Sequence, residues 1–131
     1  MKTTISLIDL NEMHPNDPRW DIIQDLVVPG WSAQDLFQRL RKEGSGIMGL
    51  YELSLVYLDG VAVAWGLRLR KNRLLGRTYL WLYTHPDYRN RGIQKNVIIP
   101  YWNKLGEEFH VQADSVDQKE TFKYLLKKIE W

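Results

Sequence analysis

A chain of 131 residues, 44% of them hydrophobic and with six Trp, seven Tyr and three Phe, is long enough for one domain with a real core and too short for two domains of ordinary size. This composition excludes a disordered chain, and the absence of cysteine excludes a disulfide framework, a thiolate zinc site and a cysteine nucleophile. The net charge is +2, but residues 68–95 hold eight Lys or Arg and one Asp, which favours an anionic ligand there.

The N-terminal sequence contains no targeting signal. Polar Thr3 and Thr4 follow the initial Met-Lys, where a signal peptide would have a long apolar core. No apolar run approaches the roughly 20 residues that a membrane span requires. We therefore expect one soluble domain over residues 1–131, cytoplasmic and without a membrane partner.

The first third of the chain predicts a strand and two helices. Apolar residues alternate within residues 3–10, which predicts a short strand before a proline-containing loop. Trp20, Ile23 and Val27 recur at helical spacing and predict the first helix. Ser32 predicts the N-cap of a second helix. This second helix would bury three residues, Leu36, Phe37 and Leu40.

Three consecutive strands are predicted next. The dipeptide Asp59-Gly60 is a strong signal for a two-residue hairpin turn, and hydrophobic residues alternate on both sides of it, over Leu50–Leu58 and Val61–Leu69. A turn at Lys71–Arg73 leads to a third strand over Arg77–Thr84. Aromatic and aliphatic residues alternate in this strand, so we expect it to be buried on both faces.

A helix, a strand and a last helix complete the pattern. The first of these helices starts at Ile93 and contains Pro100, so we expect a kink between Asn96 and Pro100. Phe109–Ala113 alternates as a strand, and Lys119–Ile129 has helical periodicity. The strands before and after the proline-containing helix should be parallel neighbours. The order of elements predicts an α/β fold with a layered sheet.

The segment between the third strand and the proline-containing helix carries the clearest functional signal, Thr84-His85-Pro86-Asp87-Tyr88-Arg89-Asn90-Arg91-Gly92-Ile93. The first turn of a helix leaves about four N–H groups without partners and carries about half a positive charge, which suits a pyrophosphate. Gly92 lets an anion approach the backbone, while Arg89 and Arg91 add charge and forked donors. The segment therefore predicts an anion site.

This segment resembles the phosphate motif of the GNAT acetyltransferase superfamily. That motif reads Arg or Gln, two residues, Gly, one residue, and Gly or Ala, and it follows a strand and a proline-aromatic pair. Arg89 and Gly92 match the motif, and Pro86 and Tyr88 match the preceding pair. The order of the elements is also similar. The resemblance implies a GNAT-like α/β fold, with a mixed and mostly antiparallel sheet flanked by helices, and acetyl-CoA as the cofactor.

The resemblance also implies which residues bind acetyl-CoA. The strand before the motif would hold the pantetheine arm through its backbone, and the turn would hold the pyrophosphate. The final small residue of the motif is replaced by Gln94, whose side chain could crowd the diphosphate or point away from it. The implied strand residues are Leu82, Tyr83 and Thr84, and the implied turn residues are Arg89, Asn90, Arg91, Gly92, Ile93, Gln94 and Lys95.

Three residues are candidates for acid-base chemistry. In the family a Tyr on the last helix often protonates the leaving thiolate, but Leu126 stands at that position, and the candidate Tyr124 is about 200° away around a helix. Glu52 lies on a strand that borders the acceptor cleft in the family, and His85 is beside the turn; either is a candidate base for the amine. The alternatives are a solvated edge residue for Glu52 and a strand-end role for His85.

Two further expectations concern metals and partners. The three histidines are scattered and no carboxylate pair has ligand spacing, so we predict no metal site. Trp131 falls where the family begins its last strands, so the final strands should be missing or very short. The strand at Phe109–Ala113 would then have an unpaired edge, which predicts a second copy of the chain or a partner strand that completes the sheet.

The leading hypothesis is an acetyl-CoA-dependent N-acetyltransferase that acts on a primary amine of a small molecule or protein. The alternative is a catalytically silent GNAT-like module for acyl-CoA sensing or protein assembly, which Gln94 and the absent family tyrosine favour. Nucleic-acid binding through the basic segment is least favoured, because the aromatic residues there alternate like core residues.

Overall fold

One sheet of six strands is formed by the residues that the computed structural model describes, which are 2–27, 29–30, 32–43, 50–70, 78–106, 109–111, 126 and 129–130. The strands lie side by side in the order of the chain. The elements are β1 (Thr3–Asp9), α1 (Arg19–Asp25), α2 (Ser32–Glu43), β2 (Tyr51–Leu58), β3 (Val61–Leu69), β4 (Thr78–Thr84), a π-helical segment (Gln94–Ile98), α3 (Ile99–Leu105), β5 (Phe109–Val111) and β6 (Ile129–Glu130).

The first four strands are antiparallel neighbours. This confirms the predicted hairpin, in which Asp59 and Gly60 have φ angles of 49° and 83°. Positive φ at both turn residues matches the right-handed twist of the flanking strands. The pairing of β2 with β3 changes register once, between Val56 and Tyr57, where one strand carries an extra residue.

The sheet separates two hydrophobic clusters. On one face, α1 and α2 cover a cluster that contains Trp20, Phe37 and Trp65. On the other face, the helix that follows β4 covers a cluster that contains Leu80 and Trp102. Successive side chains of a strand point to opposite faces, so the central strands bury residues in both clusters. On β4 this burial is incomplete, because two aromatic side chains remain partly exposed, Tyr79 and Trp81.

The helix after β4 is interrupted where the sequence predicts a kink. Its first part, Gln94–Ile98, is π-helical, and the N–H of Ile99 bonds to the carbonyl of Gln94. Pro100 follows in the first turn of α3. A proline is tolerated in a first turn because its missing N–H would have no partner there.

This helix packs directly on the backbone of β3. A Cβ atom on Gly66 would lie 2.8 Å from side-chain atoms of both Ile98 and Trp102, so only glycine fits beneath the helix. Contact at this distance fixes the height of the helix above the sheet. None of the described helices is long and apolar enough to cross a membrane.

The last two strands confirm one prediction and correct two. β5 is parallel to β4, as expected. β6 pairs in parallel with β5, so the predicted last helix does not extend to Ile129, and the edge of β5 that we expected to be unpaired has a neighbour. Sequence periodicity missed β6 because a two-residue strand is defined by pairing with a distant segment. Of the rest of that predicted helix only Leu126 is described, and it is not helical; Tyr124 and the turn at Lys71–Arg73 lie outside the described residues.

Candidate functional site

The C-terminal end of β4 leads directly into the predicted anion turn. The N–H of His85 donates to the carbonyl of Val63 at 2.8 Å, which extends the β3–β4 pairing by one residue. A single 3₁₀ turn, Pro86–Tyr88, follows. Nδ1 of His85 accepts the N–H of Asp87 at 3.1 Å and so caps this turn. The proline-aromatic pair therefore redirects the chain away from the sheet.

The ring of Tyr88 lies between the imidazole of His85 and the guanidinium of Arg91. The ring of His85 meets it edge-on at a centroid distance of 5.8 Å, and the guanidinium of Arg91 lies 5.1 Å from the centre of its ring. A cation over an aromatic face is attracted by the ring quadrupole. This contact fixes the side chain of Arg91 beside the turn, where its charge faces solvent.

The register of β4 determines which backbone groups face its outer edge. Because His85 bonds to Val63, Tyr83 bonds to Trp65 in the same way, and the residues that alternate with them point their N–H and carbonyl groups toward β5. Leu82 and Thr84 are these residues. Among the described residues, β5 pairs only with Thr78–Leu80. Thr84 has no strand neighbour on that side among the described residues, and its carbonyl accepts from Arg89.

The turn itself has a conformation that exposes backbone donors. Asn90 and Gly92 have φ angles of 64° and 74°. The first helical bond runs from the N–H of Asn96 to the carbonyl of Gly92 at 2.8 Å. Within the described part of the chain, the backbone N–H groups of residues 90–95 have no acceptor. These free donors at a helix start form a cradle for an anion.

Two side chains of the turn reach back to the end of β4. Nε of Arg89 donates to the carbonyl of Thr84 at 2.9 Å. Nε2 of Gln94 donates to the carbonyl of Tyr83 at 2.9 Å and to the hydroxyl of Thr84 at 3.0 Å. The sequence left two orientations open for Gln94, and the structure shows its amide directed at the strands. It does not cap the N–H groups of the turn.

Glu52 belongs to a separate polar cluster on the α3 side of the sheet. Its Oε1 accepts the hydroxyl of Tyr101 at 2.9 Å, and its Oε2 lies 3.3 Å from NH2 of Arg68. Arg68 is buried, with 5% of its side chain exposed. Burial, and then the hydrogen bond to Glu52, raise the pKa of Tyr101. Sequence reasoning found Glu52 and missed both partners.

The structure does not bring together the two described acid-base candidates, Glu52 and His85. Glu52 and Arg68 share a row of the sheet with Leu80, which is four residues or about 13 Å from Thr84 along β4. His85 directly follows Thr84. Tyr124 lies outside the described residues, and Leu126, at the position of the family tyrosine, is buried in the α3-side cluster. Both carboxylate oxygens of Glu52 already have donors, which favours a structural role for it.

A cavity of about 180 Å³ lies at the other end of the strands, between the end of β1 and the beginning of β2. It is remote from the turn, since β2 begins opposite the end of β3, whereas Thr84 pairs with Ala64 near the start of β3. In the described part of the chain, no three His, Asp or Glu residues lie close enough to hold a metal ion. The cavity is lined by Leu7, Ile8, Asp9, Leu50, Tyr51, Glu52 and Arg70.

The sheet order, the parallel pairing of β4 with β5 and the helix that starts at the turn are those of a GNAT-like fold. No protein-family model matches the sequence, and no curated protein is significantly similar to it. The fold comparison is nevertheless clear, because solved structures of N-acetyltransferases superpose on the chain over nearly its whole length.

Three solved structures illustrate the similarity. A ribosomal-protein-alanine N-acetyltransferase from Brucella melitensis biovar Abortus 2308 has a TM-score of 0.63 at 16% identity, covering 99% of this chain and 94% of that one. The aminoglycoside N-acetyltransferase AAC(6')-Iy, solved with CoA, has a TM-score of 0.60 at 15% identity, covering 100% and 93%. Glucosamine-6-phosphate N-acetyltransferase from Arabidopsis thaliana has a TM-score of 0.55 at 16% identity, covering 100% and 97%.

Proposed function

We propose that the protein is an acetyl-CoA-dependent N-acetyltransferase that acts on a primary amine of a small molecule or protein. The observation that carries the proposal is the row of backbone N–H groups at residues 90–95, which have no acceptor among the described residues and directly follow the end of β4. The solved relatives in fold act on a ribosomal protein, an aminoglycoside and an amino sugar phosphate. An amine is the acceptor class that these substrates have in common.

The turn fits the diphosphate of CoA. In the proposed complex, backbone N–H groups of residues 90–95 bind the phosphate oxygens, and Gly92 presents no side chain to them. Arg89 and Arg91 are exposed and add positive charge at the same place. A diphosphate bound by backbone donors at a helix start gains from both the hydrogen bonds and the helix dipole.

The resemblance assigns the pantetheine arm to the backbone at the end of β4, over Leu82, Tyr83 and Thr84. Of these, Thr84 has no strand neighbour on its β5 side among the described residues, so an amide of the arm would pair with its backbone N–H. Tyr83, which the resemblance also implied, has its backbone engaged by Trp65, and its carbonyl additionally accepts from Gln94. Its proposed role is therefore to support the turn. When bound, acetyl-CoA supplies the thioester that acylates the amine.

The residues around the turn supply orientation rather than a strong base. Orientation of two reactants contributes more to rate than a general base does in many transfers of this kind. Of the two described acid-base candidates, Glu52 and His85, His85 lies nearer to the turn. Its Nδ1 accepts the N–H of Asp87, so in the neutral ring Nε2 carries the proton, and His85 acts as a base only if Nδ1 gives up this hydrogen bond. We keep it as the candidate base of the proposed reaction.

The test is a titration followed by a transfer assay. Acetyl-CoA should raise the unfolding temperature, whereas a short DNA duplex of equal charge should not. Release of free thiol from acetyl-CoA is then measured with a panel of primary amines. Stabilisation by acetyl-CoA without thiol release for any amine would favour the silent acyl-CoA-binding module, and absence of stabilisation would refute both.

The silent module has one observation in its favour. Glu52, the carboxylate that the sequence offered as a base, is paired with Arg68 and Tyr101 and lies away from the turn. Replacing His85 by Gln separates the two possibilities if thiol release is found. A fall in the rate of release with unchanged affinity for acetyl-CoA supports the enzyme with His85 as its base.

Self-association and a cytoplasmic location stay predictions. The pairing of β6 with β5 removes the original reason for a partner strand at that edge. A sedimentation experiment with the purified chain would decide whether a dimer forms.

A further inference from the structure

Both ends of the turn are tied to the same strand residue. Arg89, the first residue of the motif, donates from Nε to the carbonyl of Thr84 at 2.9 Å. Gln94, the last residue, donates from Nε2 to the hydroxyl of Thr84 at 3.0 Å. The residues between them, including Asn90 and Gly92 with positive φ, form an arch whose two ends are held.

The amide of Gln94 uses acceptors that are present without any ligand. Its nitrogen lies 2.9 Å from the carbonyl oxygen of Tyr83 and 3.5 Å from that of Trp65. These two carbonyls face each other in a hydrogen-bonded pair of β3 and β4, where each uses one lone pair. Since a carbonyl oxygen has two lone pairs, the amide adds to the sheet without breaking it.

The other end of the same amide is unsatisfied. Oε1 of Gln94 is buried and has no hydrogen-bond partner among the described residues. A buried acceptor without a partner is unfavourable, so the side chain is held in place by its nitrogen alone. A methionine at this position would have nearly the same shape, and it would remove the nitrogen bonds together with the unsatisfied oxygen. The stability of the protein therefore need not fall in such a variant.

We propose that Gln94 is a positioning residue, which holds the N–H groups of residues 90–95 in a binding arrangement before a diphosphate ligand arrives. This inference rests on the proposed function, because it assigns the turn to the diphosphate of CoA. A loop that is ordered beforehand loses less entropy on binding. If the turn occupied this arrangement only part of the time, its affinity would fall by that fraction.

The experiment compares two variants with the same change of side chain. Gln94→Met removes the tie, and Gln38→Met places the same substitution on the exposed face of α2. Affinity is measured by calorimetric titration with CoA and with ADP, which shares only the diphosphate and adenosine. For Gln94→Met we expect both ligands to bind about tenfold more weakly, with the unfolding temperature changed by no more than about 2 °C. Gln38→Met should match the unsubstituted protein in both measurements.

Two results would overturn the inference. Equal affinity of Gln94→Met and the unsubstituted protein would show that the tie is not needed. A loss for CoA with no loss for ADP would show that Gln94 contacts the pantetheine arm instead of ordering the turn.

A ligand-free measurement separates this inference from the proposed function. Trypsin cleaves after Arg89 and Arg91, at the start and in the middle of the arch, and cleavage requires the turn to open. Gln94→Met should be cut there several times faster than the unsubstituted protein. If the unsubstituted protein bound neither CoA nor ADP, the proposed function would fail, and equal cleavage rates would independently reject the role of Gln94.

Discussion

Replacing Gly92 by alanine tests the turn most directly. Gly92 has a φ angle of 74°, and a non-glycine residue in the left-handed region costs about 1–2 kcal/mol. The new Cβ would also lie 2.7 Å from Nδ2 of Asn96, whose exposed side chain has to move. We expect the unfolding temperature to fall by about 3–8 °C. The methyl group would stand among the free N–H groups, so affinity for CoA should fall about tenfold or more, which is about 1.4 kcal/mol.

Gly60 provides a matched control. Its φ angle is 83°, and nothing lies within 4 Å of the position that a Cβ would take. Gly60→Ala therefore has the same backbone penalty in the β2–β3 turn, without a new contact and outside the candidate site. Thermal unfolding and calorimetric titration with CoA are measured for both variants. Gly60→Ala should lose about 1–2 kcal/mol of stability and bind CoA normally.

A double variant divides the effect at Gly92 into its two causes. Gly92→Ala combined with Asn96→Ala removes the 2.7 Å contact and should recover part of the stability, but not the affinity. If Gly92→Ala bound CoA as tightly as Gly60→Ala does, while both lost the same stability, the turn would not be the phosphate site and the argument would be wrong.

Three further predictions concern stability. Tyr101→Phe removes a donor to Glu52 and should cost about 1–2 kcal/mol of stability near neutral pH. The pKa of Tyr101 is raised in the folded protein, so its stabilisation is present below the ordinary tyrosine pKa and is lost as the pH rises through the raised pKa. Tyr101→Phe should therefore lose less stability than the unsubstituted protein in alkaline denaturation curves. Hydrogen bonds from Arg19 lower the pKa of Asp17 to about 2, so the stabilisation from this pair should be lost as the pH falls from about 4 to about 2, and Asp17→Asn should flatten that part of an acid denaturation curve. Gly66→Ala should cost about 1–3 kcal/mol in urea denaturation, because its Cβ would lie 2.8 Å from two buried side chains; a loss below 0.5 kcal/mol, roughly the effect of a surface change, would show that the helix is free to shift.

The β2–β3 hairpin shows which structural features the local sequence can predict and which it cannot. Asp59-Gly60 sufficed to predict the turn, and the alternation on both sides sufficed to predict the strands. Leu58 pairs with Val61 next to the turn, and a regular ladder continued from that pair would place Glu52 opposite Leu67. The bulge between Val56 and Tyr57 shifts the register by one residue and places Arg68 there instead. No residue type announces that bulge, so the partner of Glu52 could not be predicted.

The candidate site also has one part that local sequence predicts and another that it does not. Pro86, Arg89, Arg91 and Gly92 lie within one segment of seven residues, so their local pattern was sufficient to predict a turn before a helix. The orientation of Gln94 depends on acceptors 11 and 29 residues earlier in the chain, and the contact of Tyr101 with Glu52 joins residues 49 apart. Such contacts are set by the pairing of strands and the packing of helices, which a local pattern does not contain.

The separation of the core by the sheet suggests how this architecture tolerates change. The residues beneath α1 and α2 touch one set of neighbours, and those beneath the helix after β4 touch another. Cores accept substitutions that are compensated by adjacent residues, so each half can drift without disturbing the other. Two independently varying interiors are consistent with a shared backbone at only 15% or 16% identity. Substitutions beneath α1 and α2 would then leave unchanged the packing of the helix that begins at the candidate turn.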